Sequence, residues 1–440
     1  MSNAVSLGRH TVAGMIGAAG RQGQDWSAAY RLFERGRFDP MELFDVVLKE
    51  LISSSGPDAP VVGMIDDTLL RKSGRQVHGA AWRRDPLGPK FSDNLVWAQR
   101  WLQISLALPE ANGRCRAVPV DFTHCPTPAK PGKSAGAEAL REYNALRNSM
   151  RLPKRAVERI AALRRRIPTG RKLVIAGDGG YTNATVFRSV PDGVSLLGRL
   201  RKDAKLFSIP SPEASIQRGR KRVYGTALPT PEQMRQDDAI PWKEVRAATG
   251  DKLHTFRIKS IAGVRSKIAG ERDLKLVIVQ PLRYRLTAKS RLLYRSPAYI
   301  VSTDPSIPDE DILQWYLWRW EIELNFRDEK SVLGIHQPQV RTRNSVESLP
   351  PFVACSYSLL LLAGRNAFGS GKSALPLPKW RNRKNVSRIS TNQYLSAARS
   401  EMLDFSFKEN FSRFTNMAGE NAKPLYFVPP LDHVILTARK

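Results

Sequence analysis

Acidic residues at three distant points of the chain could together bind divalent metal ions. Asp66 and Asp67 end one short apolar run, Asp178 ends a second, and Glu323 lies in a long aromatic segment. Carboxylate oxygens are hard ligands that suit Mg²⁺ or Mn²⁺, and a pair of such ions can stabilise an in-line displacement at phosphorus. The three positions therefore predict a metal-dependent phosphoryl-transfer site, with either Asp66 or Asp67 as its first acid.

Each acidic position also has an ordinary structural explanation. Asp66, Asp67 and the following Thr68 are typical of a strand-ending turn or a helix cap. Asp178 and the two glycines after it make a good turn by themselves. The metal-site hypothesis therefore requires that all three acids converge in the fold, because clustered carboxylates need a compensating cation.

A row of polar side chains accompanies Glu323 within residues 314–335, a segment with no Pro or Gly before Gly334. The row comprises Tyr316, Arg319, Glu323, Arg327 and Lys330. Steps of three and four residues place these groups on one stripe of a single predicted helix. Charges on an otherwise apolar helix are costly unless they are paired or bound. The stripe predicts either an ordinary Arg319–Glu323 ion pair or a metal-binding carboxylate flanked by phosphate-binding cations.

The composition indicates a polyanionic partner. The chain has 440 residues, with 70 Lys and Arg against 41 Asp and Glu, a formal net charge of +29. Such an excess favours nucleic acid through phosphate neutralisation and counterion release. A ribosomal or membrane-surface protein could carry a similar charge, whereas the 9 Trp residues argue against a disordered basic chain.

Cysteine usage and hydropathy predict a protein of the reducing cytoplasm with no membrane-spanning segment. The chain has three cysteines in no disulfide pattern, at Cys115, Cys125 and Cys355. Residues 1–20 lack the apolar core of a signal peptide. The apolar run at 353–363 is too short to span a bilayer and predicts a core helix. His124 precedes Cys125 without the further ligands of a zinc motif, so the sequence predicts no zinc site there.

The elements that must position these residues follow an α/β order. Short apolar strands at 61–65, 173–176 and 194–200 alternate with a long basic helix at 138–166 and a short helix at 182–189. Further strands, which suit antiparallel neighbours, are predicted at 75–82, 100–108 and 116–122. The Asp motifs stand at the carboxyl ends of strands, where α/β sheets place their sites.

Changes of pattern divide the chain into five predicted units. They are a helical unit at 1–58, which is a candidate for binding DNA ends or simply a packing unit; the first part of an α/β core at 59–203; a β-rich insertion with two-fold periodicity at 204–297; the second part of the core at 298–365, with the helix of Glu323; and a basic C-terminal region at 366–440, with a linker around 376–388 and a helix near 392–403.

The motifs resemble those of bacterial insertion-sequence transposases of the DDE superfamily. One large branch carries a signature of Tyr, two residues, Arg, three residues, Glu, six residues and Lys. The residues with this spacing are Tyr316, Arg319, Glu323 and Lys330. The first-acid motif of the family, an apolar strand followed by Asp, one residue and Thr, matches Ile65 to Thr68 and points to Asp66. The second-acid motif matches VIAGDGGY around Asp178.

The resemblance covers roughly residues 5–385 and includes KSGRQVHGAAW at 72–82 and LPKWR at 377–381. It implies a ribonuclease-H-like mixed sheet with a β-rich insertion between the second and third acids. It also implies cut-and-paste transposition, in which one strand is hydrolysed at the element end. The freed 3′-hydroxyl then attacks the opposite strand, forming a hairpin, or the target DNA.

The resemblance also assigns roles to individual residues. Asp66, Asp178 and Glu323, with Asp67 as the alternative first acid, would bind two Mg²⁺ or Mn²⁺ ions. Phosphates near the cut would be bound by Tyr316, Arg319, Arg327 and Lys330. Trp242 in the insertion is the candidate for stacking on a flipped base, with an ordinary core or surface Trp as the alternative. A homodimer on DNA, in the bacterial cytoplasm and associated with the nucleoid, is expected.

Three other functions are compatible with the sequence. Another ribonuclease-H-like endonuclease, such as a junction resolvase, would cut DNA without joining strands. A domesticated DNA-binding protein would retain the fold without nicking DNA in Mg²⁺, although all three acids are present. A basic structural protein would leave the spacing of the Tyr-Arg-Glu-Lys signature as coincidence.

Overall fold

A 12-stranded mixed sheet and the helices packed on it form most of the described part of the chain. This computed structural model describes residues 2–85, 88–89, 91–211, 222–250, 252–370 and 388–401. Most of the predicted C-terminal region, including residues 376–387 of the basic linker, therefore lies outside the described residues. A helix at 391–401 lies where one was predicted near 392–403.

The strands, in chain order, are β1 Val61–Arg71, β2 Ala81–Arg84, β3 Leu95–Pro109, β4 Cys115–His124, β5 Leu173–Gly177, β6 Val194–Arg199, β7 Leu206–Ser208, β8 Ala227–Leu228, β9 Lys243–Thr249, β10 Lys252–Arg265, β11 Leu274–Val279, β12 Arg283–Tyr284, β13 Leu293–Tyr294 and β14 Ala298–Ser302. The sheet order is β2-β3-β1-β5-β6-β14-β11-β10-β7-β8, with β4 also paired to β3 and β9 to β10. β12 and β13 form a separate hairpin.

The middle of the sheet places the two Asp motifs on neighbouring strands. β1 pairs in parallel with β5, with Ile65 opposite Gly177, and antiparallel with β3. β6 continues the sheet in parallel with β5 and antiparallel to β14. The first five residues of β1 and all of β5 are buried, as expected for strands covered on both faces.

The predicted strand at 75–82 is wrong in its position. Residues 75–79 form turns, and β2 begins only at Ala81. Gly79 has a φ of +67°, and the backbone N–H of His78 donates to Arg341 rather than to a neighbouring strand. The left-handed conformation at Gly79 ends any extended run there.

Residues 204–297 are β-rich and continue the same sheet. β11 pairs with β14, β10 pairs with β11, and β7 and β9 pair with β10. The chain then enters the second part of the core at β14, which is followed by the helices Asp309–Trp318 and Glu321–Ser331. These strands therefore extend the core sheet at its β14 side.

The helices are α1 Ser2–Val5, α2 Val12–Ala18, α3 Ser27–Glu34, α4 Pro40–Ser53, α5 Ala137–Ser149, α6 Leu152–Arg166, α7 Ala184–Ser189, α8 Pro231–Gln236, α9 Asp309–Trp318, α10 Glu321–Ser331 and α11 Arg343–Phe368. The predicted basic helix at 138–166 is divided into α5 and α6 just before Pro153, which lies in the first turn of α6. This is where proline is tolerated.

The N-terminal helices α3 and α4 pack against α11, and α4 also contacts β4. α4 begins at Pro40 after the N-cap residue Asp39, whose carboxylate accepts from the backbone N–H of Met41 at 2.8 Å. The buried side chains of Phe44 and Val47 belong to the same apolar cluster as α11. The predicted unit at 1–58 thus shares a core with residues far along the chain.

The single helix predicted for residues 314–335 is wrong, because α9 and α10 meet in a tightened turn. The backbone N–H groups of Arg319, Trp320, Ile322 and Glu323 donate to carbonyls three residues back, at 3.1–3.3 Å. This is the overwound 3₁₀ pattern, in which side chains three residues apart come close to eclipsing. Trp318 before the turn donates its indole N–H to Gly113, whereas Trp320 within it is 57% exposed.

α11 is the one described helix long and apolar enough to cross a membrane. It is 26 residues long rather than the short run predicted at 353–363, and 67% of its apolar window is buried within the protein. It packs against β4 and α4. Its apolar surface is therefore covered by the fold, as in a core helix.

Candidate active site

Asp66 and Asp178 lie side by side on neighbouring parallel strands. Asp66 follows Ile65 in β1, Asp178 follows Gly177 in β5, and Ile65 pairs with Gly177. Since adjacent strands are about 4.8 Å apart, the two acids leave the sheet at neighbouring points. Asp178 ends β5, and its Oδ1 accepts from the N–H of Gly180 at 2.8 Å.

Asp66 and Asp67 project to opposite faces of the sheet, since side chains alternate along a strand. Asp66 faces the helical turn of Arg319, with 3.6 Å between Oδ2 and the guanidinium Nη1. Asp67 is held by other groups: the Tyr181 hydroxyl donates to it at 3.2 Å, and Arg100 Nε lies 3.3 Å away. The two candidates for the first acid are thereby separated, and Asp66 is the one on the side of Glu323.

Arg319 joins Asp66 to Glu323. Its Nη2 donates to Glu323 Oε1 at 3.1 Å while Nη1 contacts Asp66. The Arg319–Glu323 ion pair predicted from the helical spacing is present, but it is not a surface pair, because the Arg319 side chain is only 15% exposed. The guanidinium therefore lies between two acids that are far apart in sequence.

The carboxyl of Asp66 is held in an environment that resists its ionisation. Burial, assisted by the negative charges of Asp178 and Asp67, raises its pKa to about 7. The backbone N–H of Asp67, which donates to Asp66 at 2.8 Å, and the charge of Arg319 lower it only in part. Burial also raises the pKa of Asp67. A half-buried group of oxygen donors, whose mutual repulsion is only partly offset by positive charge, is chemically suited to a hard divalent cation.

The other members of the polar stripe are in different surroundings. Lys330 Nζ donates to Thr68 Oγ1 at 2.6 Å, which joins α10 to β1 two residues beyond Asp66. The Tyr316 phenol has its pKa raised by burial and lies within the electrostatic influence of Asp178. Arg327 is 65% exposed and pairs with the adjacent Asp328 at 2.9 Å. Thus Tyr316 and Lys330 are close to the acids or their strands, whereas the described contact of Arg327 is with its neighbour.

Trp242 is in a packed rather than an open environment. It is half-buried against the main apolar cluster, and Lys259 Nζ lies 4.6 Å from its ring centroid. Arg257 approaches the same ring at 5.9 Å. The described contacts agree with the alternative of an ordinary core Trp, and base stacking by Trp242 gains no support from them.

A basic cleft next to Asp178 was not predicted from the sequence. It has a volume of about 1060 Å³ and begins at Gly179 and Thr182. Five cations line it, Arg199, Arg201, Lys202, Lys205 and Lys267, against the acids Asp203 and Glu232. The signal was present as the basic run that follows β6, but the contribution of Lys267 depends on the folding of the β-rich region.

A buried ion-pair network behind the α9–α10 turn also went unpredicted. Arg388 Nη1 lies 2.7 Å from Glu321 Oε2, and its Nε lies 3.3 Å from Glu110 Oε2. Arg116 completes the network with a 3.0 Å contact to Glu110. Burial raises the pKa of Glu321, and the Arg388 charge opposes that shift. The segment at 388–401 is thus tied to the turn that carries Arg319, a contact no local pattern could reveal.

Comparison with known families identifies the superfamily of the chain. Residues 4–266 match the family described as DDE superfamily endonuclease, a range that includes Asp66 and Asp178 and ends before Glu323. No curated protein matches the chain. The mixed sheet is consistent with the ribonuclease-H-like fold expected for such enzymes. Because the match covers more than half of the sequence, the chain belongs to the DDE superfamily of endonucleases.

Proposed function

We propose that this protein is a DNA transposase of the branch with the Tyr-Arg-Glu-Lys signature. It would cut DNA at the ends of a mobile element and join those ends to target DNA by in-line phosphoryl transfer. The observation that carries this proposal is the convergence of Asp66 and Asp178 on adjacent strands, with Glu323 linked to Asp66 through Arg319. Family membership supports DNA cleavage, and the cut-and-paste route is the finer part of the proposal.

Asp66, Asp178 and Glu323 are the residues that would hold Mg²⁺ or Mn²⁺, with two ions as the proposed complement. The raised pKa of Asp66 supports this fit, since the positive charge of Arg319 does not fully offset burial and the repulsion between the acids. When bound, such ions polarise the scissile phosphate and increase the acidity of the attacking water or 3′-hydroxyl. Asp67 is the less suitable first acid, because Tyr181 and Arg100 already satisfy its carboxylate.

The neighbouring side chains would orient the DNA backbone. Arg319 would hold Glu323 and Asp66 in place and favour their ionised forms, while its exposed edge faces a phosphate. Lys330 fixes α10 against Thr68 and adds a second cation on the same side. Tyr316 would donate its hydroxyl to phosphate, because burial keeps the phenol protonated. Arg327 would contact more distant phosphate from its exposed position.

The basic cleft at Gly179 is the proposed path of the DNA strand that leaves the acids. Its cations would neutralise successive phosphates, consistent with the formal net charge of +29. We further propose that two copies act on paired DNA ends in the bacterial cytoplasm, near the nucleoid. The burial of α11 in the core supports the absence of a membrane anchor within the described residues.

Glu323→Gln should reduce Mg²⁺-dependent nicking of supercoiled plasmid more than about 100-fold, because it removes a metal ligand without removing positive charge. DNA affinity, measured by fluorescence anisotropy, should stay within about twofold. Glu310→Gln, an exposed acid on α9, is the matched control and should retain activity. Retained nicking in Glu323→Gln would remove this residue from the active site. Strand-transfer products from paired ends would distinguish a transposase from a resolvase-like nuclease.

Metal affinity should depend on pH through Asp66. Its pKa in the folded protein is raised to about 7 from an ordinary value of 3.8, so an ion that binds below pH 7 must displace a proton from this carboxyl. Mn²⁺ affinity, measured by calorimetry, should fall by up to about tenfold per pH unit below 7. Without metal, the same shift should lower the free energy of unfolding as pH rises from about 4 to about 7.

Glu329→Gln is the control for this pH dependence. Glu329 is a buried carboxyl whose pKa burial also raises, to about 8, yet it faces Gln103 rather than the three acids. The control should keep the pH dependence of Mn²⁺ affinity, while Asp66→Asn should lose Mn²⁺ binding. A flat affinity between pH 5.5 and 8 in the unsubstituted protein would contradict the assignment of Asp66.

Replacing Lys202 and Lys205 together with Ala should reduce the slope of log affinity for DNA against log salt by about two, one for each lost phosphate contact. Lys172→Ala is the control, since Lys172 stands at the opposite end of β5 from Asp178 and pairs with Asp304. Its slope should match that of the unsubstituted protein. An unchanged slope in the double variant would place the DNA elsewhere.

A further inference from the structure

A second cluster of metal-ligating side chains lies apart from the three acids. His78, His124 and Glu347 each present a ligand atom, and these atoms lie within 4.8 Å of one another. His78 comes from the turn between β1 and β2, His124 ends β4, and Glu347 lies in the second turn of α11. His78 Nε2 is 3.8 Å from Glu347 Oε1.

His124 is the unexplained member of this cluster. Its residue is only 6% exposed, and both ring nitrogens lack a hydrogen-bond partner among the described residues. Leaving a buried polar group unpaired costs about 1–3 kcal/mol. Burial lowers its pKa to about 3, with the charges of His78 and Arg83 acting in the same direction. The imidazole is therefore neutral, and one nitrogen carries a free lone pair.

Packing alone does not account for this arrangement. His124 stacks on Trp101 at 4.8 Å, which explains the plane of its ring but not its unpaired nitrogens. Gly79 allows the backbone after His78 to approach: a Cβ there would lie 2.3 Å from His124 Cε1 and 2.8 Å from Nε2. The close approach of this turn thus places His78 next to the buried imidazole of His124, and Glu347 lies beside both histidines.

We propose that His78, His124 and Glu347 bind one divalent ion of the zinc class. Two imidazoles and one carboxylate suit Zn²⁺, with water as a fourth ligand, and they do not suit Mg²⁺, which prefers oxygen. The site is chemically distinct from the carboxylate set of Asp66, Asp178 and Glu323. No zinc motif predicts this site because its ligands come from three distant segments of the chain.

Cations around the site set its affinity. Arg343 Nε lies 3.1 Å from Glu347 Oε1 and competes with an ion for that carboxylate. Lys72 and Arg155 also influence the site through their charges, as they do His124. Removing Arg343, whose side chain is 72% exposed, should therefore strengthen metal binding without disturbing the core.

The ion would fasten together segments that frame the active site. Lys72 Nζ already donates to the carbonyls of His336 and Pro338 at 3.0 and 3.3 Å, and the His78 N–H donates to Arg341. These contacts join the turn after β1 to the link between α10 and α11. A metal at His78 would reinforce the same junction, which makes the site structural and independent of the proposed transposase activity.

The test uses the full chain, stripped of metal and titrated with Co²⁺ in excess Mg²⁺. The d–d absorption of tetrahedral Co²⁺ reports nitrogen-containing sites and is insensitive to Mg²⁺ on carboxylates. The unsubstituted protein should bind one Co²⁺ per chain, and Zn²⁺ should displace it and raise the melting temperature. His78→Ala and Glu347→Gln should weaken Co²⁺ binding at least about tenfold.

Two further variants make the outcome decisive. Arg343→Ala should bind Co²⁺ several-fold more tightly, a gain that misfolding cannot produce. His254→Ala, a half-buried histidine in β10, is the matched control and should bind like the unsubstituted protein. Absence of Co²⁺ absorption in the unsubstituted protein, or equal affinity in His78→Ala, would overturn the proposal. Nicking activity is not the readout, so failure of the transposase proposal would leave this result unaffected.

Discussion

The proposed site depends on holding half-buried acidic side chains close together. Asp66 and Asp178 leave adjacent parallel strands, and burial together with their mutual repulsion raises the pKa of Asp66 to about 7. Arg319 supplies a positive charge between Asp66 and Glu323, but one guanidinium does not return the pKa of Asp66 to its ordinary value. Such a site is costly without a further cation, and binding of the proposed divalent ions would offset that cost.

The surrounding elements make this arrangement rigid. The acids emerge from strands that are buried on both faces, and the cation emerges from the tightened turn between α9 and α10. That turn is fastened from behind by the buried network of Arg388, Glu321 and Glu110, and α10 is fastened to β1 through Lys330 and Thr68. Loss of any of these contacts would alter the distance from Glu323 to β1 and β5. The carboxyl groups themselves would remain unchanged.

Much of the fold was predictable because its signals are local. The apolar runs before Asp66 and Asp178 are short enough to be strands, and Pro40 and Pro153 mark helix starts. The break at Arg319 was missed because right-handed helical dihedrals continue through it and no Pro or Gly marks it. The basic cleft, the network of Arg388 and the cluster around His124 were missed because each depends on pairing between distant segments. The choice between Asp66 and Asp67 likewise needed the sheet, since only the neighbours on each face distinguish them.

The most direct measurement is a crystal structure of the protein with Mn²⁺, using anomalous scattering to locate the ions. We expect Mn²⁺ about 2.0–2.3 Å from carboxylate oxygens of Asp66, Asp178 and Glu323, with Arg319 turned toward the substrate side. Asp67 should keep its contacts with Tyr181 and Arg100. Manganese bound by Asp67 in place of Asp66, or anomalous density only at sites remote from Glu323, would contradict it.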